Sequence, residues 1–395
     1  SAAAFAAAAA AAADPENNST SDDTAADRAN AVVEWVQSMG GFFSPKLEIR
    51  PLSLGDPTSP LGVFARQDLK KGETIFKIPH SAYIRLPEDQ DEGPSDDPED
   101  DTYYWENICR CSKKLAEELK KGDRSEFAPF VSYLNAQRRG QIPATWSEQG
   151  KEKLQTVVAA EHDVVNWIEK RFQKTDCVPP SPEDDPDGVF ALALTVQRGF
   201  DAVLIPVWDM VNHHNGIINT ENNSIHDGDK LNVRTAGAVK AGEEIFASYD
   251  LCTDCNDVDY YWGTPEILRD FGFVEDYPRR WVYYDVGVWF ELDWVDDGQG
   301  DWDLKVFWHV GNDPDEEYCG YPNEKGLNYL REERERLERV GKDELSDGPG
   351  AVPQHEWETT VQFHKASLEA VSMAIDSLVA LKQPPAQDGS PTLMD

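Results

Sequence analysis

Positive charge is scarce in this chain. Its 395 residues carry 37 lysines and arginines against 74 aspartates and glutamates, a formal net charge of -37 at neutral pH. A field of that sign repels nucleic-acid phosphates and anionic headgroups, which excludes unaided binding to either, and it attracts basic protein segments. Cysteine is scarce too. Cys109, Cys111, Cys177, Cys252, Cys255 and Cys319 are too few and too unevenly spaced for a secreted disulfide scaffold, so reduced thiols in a reducing compartment are expected. Cys252-x-x-Cys255 has no second such pair and no spaced histidine pair beside it, so no metal is expected; a structural zinc staple there is the minority reading. Long apolar runs are missing as well. Nothing approaches the roughly 18 residues of a membrane span, which argues against a membrane protein.

What is present is 40% hydrophobic and 10% aromatic, the composition of a globular chain long enough for two or three domains. The run Ala2–Ala13, broken only by Phe5, leads into an Asp/Asn/Ser/Thr-rich stretch, and residues 1–28 read as a disordered tail. An organellar import segment and a cytosolic or nuclear setting both suit it, which leaves the compartment open among cytoplasm, nucleus and plastid. From Ala31, an amphipathic helix is expected up to the Gly40-Gly41 stop. Strands follow at Lys46–Arg50 and Leu61–Arg66, then a tight turn and strand over Asp68–Pro79. A similarly worded phrase recurs at Ala238–Tyr249, which implies a β fold split by a large insertion. Between them, Pro87–Asp101 holds nine carboxylates in fifteen residues and must be a solvated loop. The rest of that interval reads as helical, including a run from Leu154 through Val157, Val158, Val164, Val165 and Trp167 to Ile168. Trp281–Val310 reads as strands, and helices over Leu327–Val340 and Trp357–Leu381 close the chain.

The most informative segment is Leu204-Ile-Pro-Val-Trp-Asp-Met-Val-Asn-His-His-Asn215, which delivers Trp208, Asp209, Asn212 and His213 into a loop. It is followed by Ala241-Gly-Glu-Glu-Ile-Phe-Ala-Ser-Tyr249, which reads as a strand ending on a tyrosine. Each residue alone has an ordinary explanation: a strand-end tyrosine with a satisfied hydroxyl, or a turn started by Asn or Asp. Adjacent His213 and His214 do not converge easily on one metal. Order and spacing carry the signal. Asp-x-x-Asn-His followed by Gly-Glu and Ser-Tyr resembles the active-site half of a SET-domain methyltransferase. Over residues 31–280 the chain resembles the Rubisco large-subunit methyltransferase-like class, whose relatives methylate lysines or, in one branch, an actin histidine.

That resemblance implies an α+β fold: a knotted-type SET β core over residues 29–280, a helical insertion at about 102–195, and a smaller C-terminal lobe over 281–395, partly β then mainly helical. It implies S-adenosylmethionine as cofactor and a protein as substrate. Leu61, Gly62 and Val63 match the first cofactor-binding turn, Arg198 in Gln197-Arg-Gly-Phe200 matches the arginine that meets the cofactor carboxylate, and Asp209, Asn212 and His213 match the Asn-His motif. Phe273 matches the aromatic over the adenine, Tyr249 the catalytic tyrosine, and Phe200 and Trp208 the substrate channel. The chain departs from the pattern at Asp250 (usually Gly), at an insertion over Leu251–Gly263, at Thr264 (usually Asn) and at Phe271 (usually Tyr). Such a site needs no metal, because in-line transfer from a sulfonium rests on proximity and on a neutral acceptor amine. Trp208-Asp-Met-Val-Asn-His-His-Asn-Gly216 is worded like the histidine branch. Phe200, however, stands where that branch has an imidazole-binding Asn, and an aromatic there suits an alkylammonium. Lysine is the expected target. Histidine, or a non-catalytic SET module that docks basic segments, is the alternative.

Overall fold

A reciprocal cap opens the first helix: Thr24 Oγ1 accepts the Asp27 N–H at 3.2 Å while Asp27 Oδ2 accepts the Thr24 N–H at 2.9 Å. The computed structural model describes residues 24–53, 56, 59–86, 102–173, 175–181, 183–225, 228–249, 263–296, 298, 300–308 and 322–382. Helix α1 (Ala25–Ser38) buries Ala29, Val32, Val33 and Val36 and ends before Gly40, which sits at φ +83°. It therefore takes in residues 25–28, which the composition assigns to the tail. The polar first turn hides its periodicity, and the cap supplies the start.

Strands β1 (Phe42–Phe43), β2 (Leu47–Pro51), β3 (Leu61–Ala65) and β4 (Thr74–Pro79) come next. The helical layer consists of α2 (Thr102–Lys121), α3 (Ala128–Asn135), α4 (Glu148–Val157), α5 (Trp167–Phe172) and α6 (Pro186–Arg198). The expected continuous helix from Leu154 to Ile168 is broken. Val158 is extended (ψ 136°), and Val158, Val164 and Val165 are buried in a turn. A buried turn presents the same apolar residues as a helix face, so content alone does not separate the two.

The core resumes with β5 (Gly199–Phe200), β6 (Val203–Leu204), β7 (Asn212–His213), β8 (Thr220–Asn222), β9 (Lys230–Thr235) and β10 (Phe246–Ala247). A four-stranded sheet runs β1-β4-β9-β8, with β4 and β9 antiparallel on either side of the helical layer in sequence. The two similarly worded phrases meet directly. Leu69 and Val239 exchange backbone hydrogen bonds at 2.8 and 3.1 Å, and Asp68 Oδ1 accepts the Ala241 N–H at 3.0 Å. Strands β7 and β10 pair in parallel, Asn212 opposite Phe246 and His213 opposite Ala247, the one parallel pair among the described strands.

Helix α7 (Thr264–Phe271) leads to an antiparallel sheet of β11 (Arg279–Tyr283), β12 (Val288–Asp296) and β13 (Trp302–Trp308), closed by α8 (Glu324–Asp343) and α9 (Gln354–Lys382). This is the β-then-helical order expected of the C-terminal lobe. Helix α4 and the following turn, though they follow α3 in sequence, pack into that lobe's core with Trp281, Phe290, Leu330 and Phe363 rather than against α2, α5 and α6. A third cluster joins α2, α5 and α6 around Trp105, Trp167 and Leu192. Within it, Cys109 and Cys177 form a disulfide, so the expectation of reduced thiols fails for these two, while Cys111 is a buried free thiol. Their partnership across 68 residues is invisible in the spacing. The acidic loop 87–101, Asp250, the insertion from Leu251 and both cysteines of the Cys252-x-x-Cys255 pair lie outside the described residues, as does the tail before Thr24.

Candidate active site

The parallel pairing of β7 with β10 brings the two motif segments side by side, and Tyr249 emerges from β10 against His213. The Tyr249 N–H donates to His213 Nδ1 at 2.9 Å, and the two rings lie 5.1 Å apart. Because Nδ1 accepts a backbone N–H, the imidazole proton is on Nε2, which donates to Glu275 Oε2 at 2.9 Å. Glu275 Oε2 also accepts from Asn215 Nδ2 at 2.9 Å, and Oε1 accepts from Thr264 Oγ1 at 2.6 Å. The His213 and Glu275 side chains are 2% and 1% exposed. One buried carboxylate thus ties β7, α7 and the tyrosine segment together. The Tyr249 hydroxyl donates to the Val211 carbonyl at 2.7 Å, and burial holds its pKa far above the usual phenol value. It remains a neutral dipole at physiological pH.

The second cluster is built on β3. Asn212 Nδ2 donates to the Leu61 carbonyl at 2.9 Å and to Glu244 Oε1 at 2.7 Å. Gly62 lies beneath: a Cβ there would stand 2.3 Å from Glu244 Oε1, so any other residue would push the carboxyl end away from its present place. Burial lifts the Glu244 pKa to about 7, against the opposing effect of Asn212 and Arg50. Val63 points its fully buried side chain into the core, and its carbonyl accepts the Ile245 N–H at 2.7 Å. Its side chain is thus a core group, and only its backbone faces the turn.

The third cluster joins α6 to the turn after β6. Arg198 Nη1 donates to the Asp209 carbonyl at 3.1 Å and to Asp209 Oδ2 at 3.4 Å, and Nη2 donates to Gln137 Oε1 at 2.9 Å. Tyr133 OH stands 3.4 Å from Nη1. Burial raises Asp209 to about 6, with the Arg198 charge pulling the other way. Arg198 Nε and Asp209 Oδ1 are buried without a hydrogen-bond partner, a cost that polar contact with a ligand would relieve. Val207, at φ 70°, delivers Trp208 and Asp209 into this turn; positive φ on a β-branched residue stores about 1–3 kcal/mol of strain.

Aromatic rings wall the space between the clusters. Phe271 lies 4.6 Å from Tyr249, and Phe273 lies 6.1 Å from His213. Gly272 between them sits at φ +79°, where a Cβ would meet the Gln141 carbonyl at 2.0 Å. Phe200 and Trp208 are half-buried and pack on the edge of the main core. Glu244, Glu275, Tyr133 and Gln137 were not legible as site residues. Glu244 sits in the Gly-Glu-Glu turn and had a signal; Glu275, in Phe273-Val-Glu-Asp276, had none. Among the described residues, no group of three or more His, Cys, Asp or Glu could hold a metal.

Residues 61–250 match the family model described as the SET domain. That stretch is just under half of the chain and holds the paired segments β7 and β10 of the site, and the architecture around it is α+β. In sequence the chain is similar to the chloroplastic [fructose-bisphosphate aldolase]-lysine N-methyltransferase of Arabidopsis thaliana, 25% identical over 247 residues that span 56% of this chain and 48% of the relative. It is also similar to the chloroplastic ribulose-1,5 bisphosphate carboxylase/oxygenase large subunit N-methyltransferase of Nicotiana tabacum, 24% identical over 265 residues, 61% of this chain and 50% of the relative. The chain spans about half the length of these relatives. Among solved structures, the SET domain of LSMT bound to MeLysine and AdoHcy has the same fold, with a TM-score of 0.51 at 15% identity over 89% of this chain and 91% of that one.

Proposed function

We propose that this chain is an S-adenosylmethionine-dependent protein methyltransferase that acts on a lysine side chain. The observation that carries the proposal is the convergence of Asn212 on the Leu61–Gly62 backbone and of Tyr249 on His213 within one partly buried space. S-adenosylmethionine, when bound, supplies a methyl group on an electrophilic sulfonium. Gly62 and Asn212 would hold its amino-acid end, with the unpartnered Arg198 Nε as the cationic contact and Phe273 as the apolar one. The donor set fits an amino-acid-bearing cation: one bare glycine backbone, one orphaned guanidinium nitrogen and one orphaned carboxylate oxygen.

Tyr249 does not act as a base, since burial keeps its proton on. Held by Val211, its oxygen offers lone pairs to an electron-poor methyl and fixes the line of approach. The surrounding Phe271 ring excludes water. A dry apolar wall lowers an acceptor lysine below its usual pKa of about 10.4, so that the neutral amine is available. Phe200 favours lysine over histidine, since a site built for imidazole needs a hydrogen-bonding partner there. The relatives are named for lysine N-methyltransfer or large-subunit N-methyltransfer, which supports the same reading. An intracellular setting, in cytoplasm, nucleus or plastid, is proposed with it; two relatives are named chloroplastic, and no helix among the described residues is long and apolar enough to cross a membrane.

Calorimetric titration with S-adenosylhomocysteine tests the proposal, with wild type compared against Asn212→Ala and Tyr249→Phe. Binding by the wild type should weaken by about tenfold or more in Asn212→Ala, a loss of ~1.4 kcal/mol, and persist in Tyr249→Phe. A folded wild type that takes up none would replace the enzyme with a module that only docks basic segments.

A further inference from the structure

The ribbon that follows the site carries an apolar face beyond the core. In the β12–β13 register, Leu292 faces Val306, Trp294 faces Leu304 and Asp296 faces Trp302. Alternation along the strands puts Phe290, Leu292, Trp294, Trp302, Leu304 and Val306 on one face. At its inner end this face is core: Phe290 and Leu292 are fully buried, and Trp308 Nε1 donates to Ser377 Oγ of α9 at 2.9 Å. Among the described residues, nothing covers its outer end. Trp294 is 44% and Trp302 60% exposed, on diagonal positions of the same face. The same tip is acidic. On this face Asp296 stands directly opposite Trp302, while Asp293 and Asp303 alternate to the other face, where Lys305 stands opposite Asp293.

The face begins at the rim of the active site. Trp294 makes an edge contact with Tyr277 at 5.8 Å, and Tyr277 precedes Pro278. Pro278 packs against Gly216, so closely that a Cβ on Gly216 would lie 2.8 Å from Pro278 Cδ. Gly216 closes the segment that begins at Asn212 and His213. Burial lowers the pKa of His214, and the carboxylates of Asp276 and Asp293 oppose that, so the acidic field reaches the loop beside the site.

Exposed indole faces with a carboxylate beside them, here Asp296 across from Trp302, attract alkylammonium and guanidinium groups through the ring quadrupole and through charge. The aspartates repel anionic lipid, and they would face one another across a contact between two copies. We infer that the Trp294–Trp302 face docks a basic segment of the protein substrate, lysine- or arginine-bearing and interleaved with apolar residues, and so leads the target side chain to the site at Tyr249. The identity of the occupant as substrate rests on the methyltransferase reading. The docking chemistry does not.

The test is fluorescence anisotropy with a labelled peptide of alternating lysine and leucine, and with its glutamate-for-lysine counterpart as control. The lysine peptide should bind wild type and Tyr249→Phe alike. Trp302→Ser and Trp294→Ser should each weaken it about tenfold, and Asp296→Asn should reduce both affinity and salt dependence. Equal affinity in the tryptophan variants, or equal binding of the glutamate peptide, overturns the inference. A wild-type dimer in sedimentation that Trp302→Ser dissociates also overturns it, in favour of a second copy on this face. S-adenosylhomocysteine titration on the same samples separates the two readings: loss of docking with cofactor binding intact removes the surface alone, and docking without cofactor binding removes the enzyme alone.

Discussion

Glu275 is the group on which the site's assembly depends most, and its removal has a calculable cost. The carboxylate receives His213 Nε2, Asn215 Nδ2 and Thr264 Oγ1 at 2.9, 2.9 and 2.6 Å. In Glu275→Ala two fully buried donors, on His213 and Thr264, lose their partner, while the half-buried Asn215 amide turns to water. At about 1–3 kcal/mol per stranded buried group, plus the space left by the side chain, the variant should lose about 3–5 kcal/mol. Glu275→Gln keeps the shape. Its amide oxygen serves His213 and Asn215, its nitrogen donates to a rotated Thr264 hydroxyl, and only charge assistance is lost, about 1–2 kcal/mol. Guanidinium unfolding followed by tryptophan fluorescence reads both variants against wild type. Nitrogen NMR of His213 adds a local readout: wild type should carry the proton on Nε2, and Glu275→Ala should mix the tautomers and loosen Tyr249. A Glu275→Ala midpoint equal to wild type, or a Glu275→Gln loss equal to that of alanine, refutes the reasoning.

Gly62→Ala places a methyl 2.3 Å from Glu244 Oε1 and 2.9 Å from Leu52 Cδ2, so the carboxyl must leave Asn212; S-adenosylhomocysteine affinity should fall about tenfold, and an unchanged titration would count against the close approach. Glu244, ordinarily at 4.5 and lifted to about 7, binds its proton more tightly in the folded state. Its contribution is therefore complete below its ordinary value and is lost as pH rises through about 7, an effect on the order of 1–3 kcal/mol. Asp209, lifted from 3.8 to about 6, acts with the same sign over a lower window. Denaturation free energies collected across that range should fall for wild type, and Glu244→Gln should flatten the upper part of the curve. Cys177→Ser opens a bridge between positions 68 apart and should cost about 2–4 kcal/mol, checked by melting with and without reductant and by non-reducing peptide mapping.

The parts of the site written as motifs were legible before any coordinates. Asn212, His213 and Tyr249 stand in an order and spacing that single-residue explanations do not reproduce, and Gly62 sits where β3 passes close to the Glu244 carboxyl. Glu275 was not legible, because its partners come from β7, the following turn and α7, and nothing in Phe273-Val-Glu-Asp276 marks the residue as different from a surface glutamate. The same limit applies to secondary structure. The long faces of α8 and α9 show in the periodicity, whereas the turn at 158–166 carries the valines of a helix without its hydrogen bonds. The start of α1 depends on a capping box in a polar stretch that periodicity does not weigh.

The pairing of β4 with β9 has a consequence for how the chain acquires its site in time. Five helices, α2 to α6, lie between these strands, and the Asn212–Leu61 bond spans 151 residues. Closing a loop of that length costs about 4 kcal/mol of chain entropy, and rates fall as contacts become less local. Packing of α2, α5 and α6 into their own cluster around Trp105 and Leu192 shortens the path between the strand ends. During synthesis the β4–β9 pairing and the parallel β7–β10 contact that seats Tyr249 both wait on residues made after these helices. A chain emerging during synthesis has no pocket until Tyr249 has been made, so ligand binding reports completion of the core.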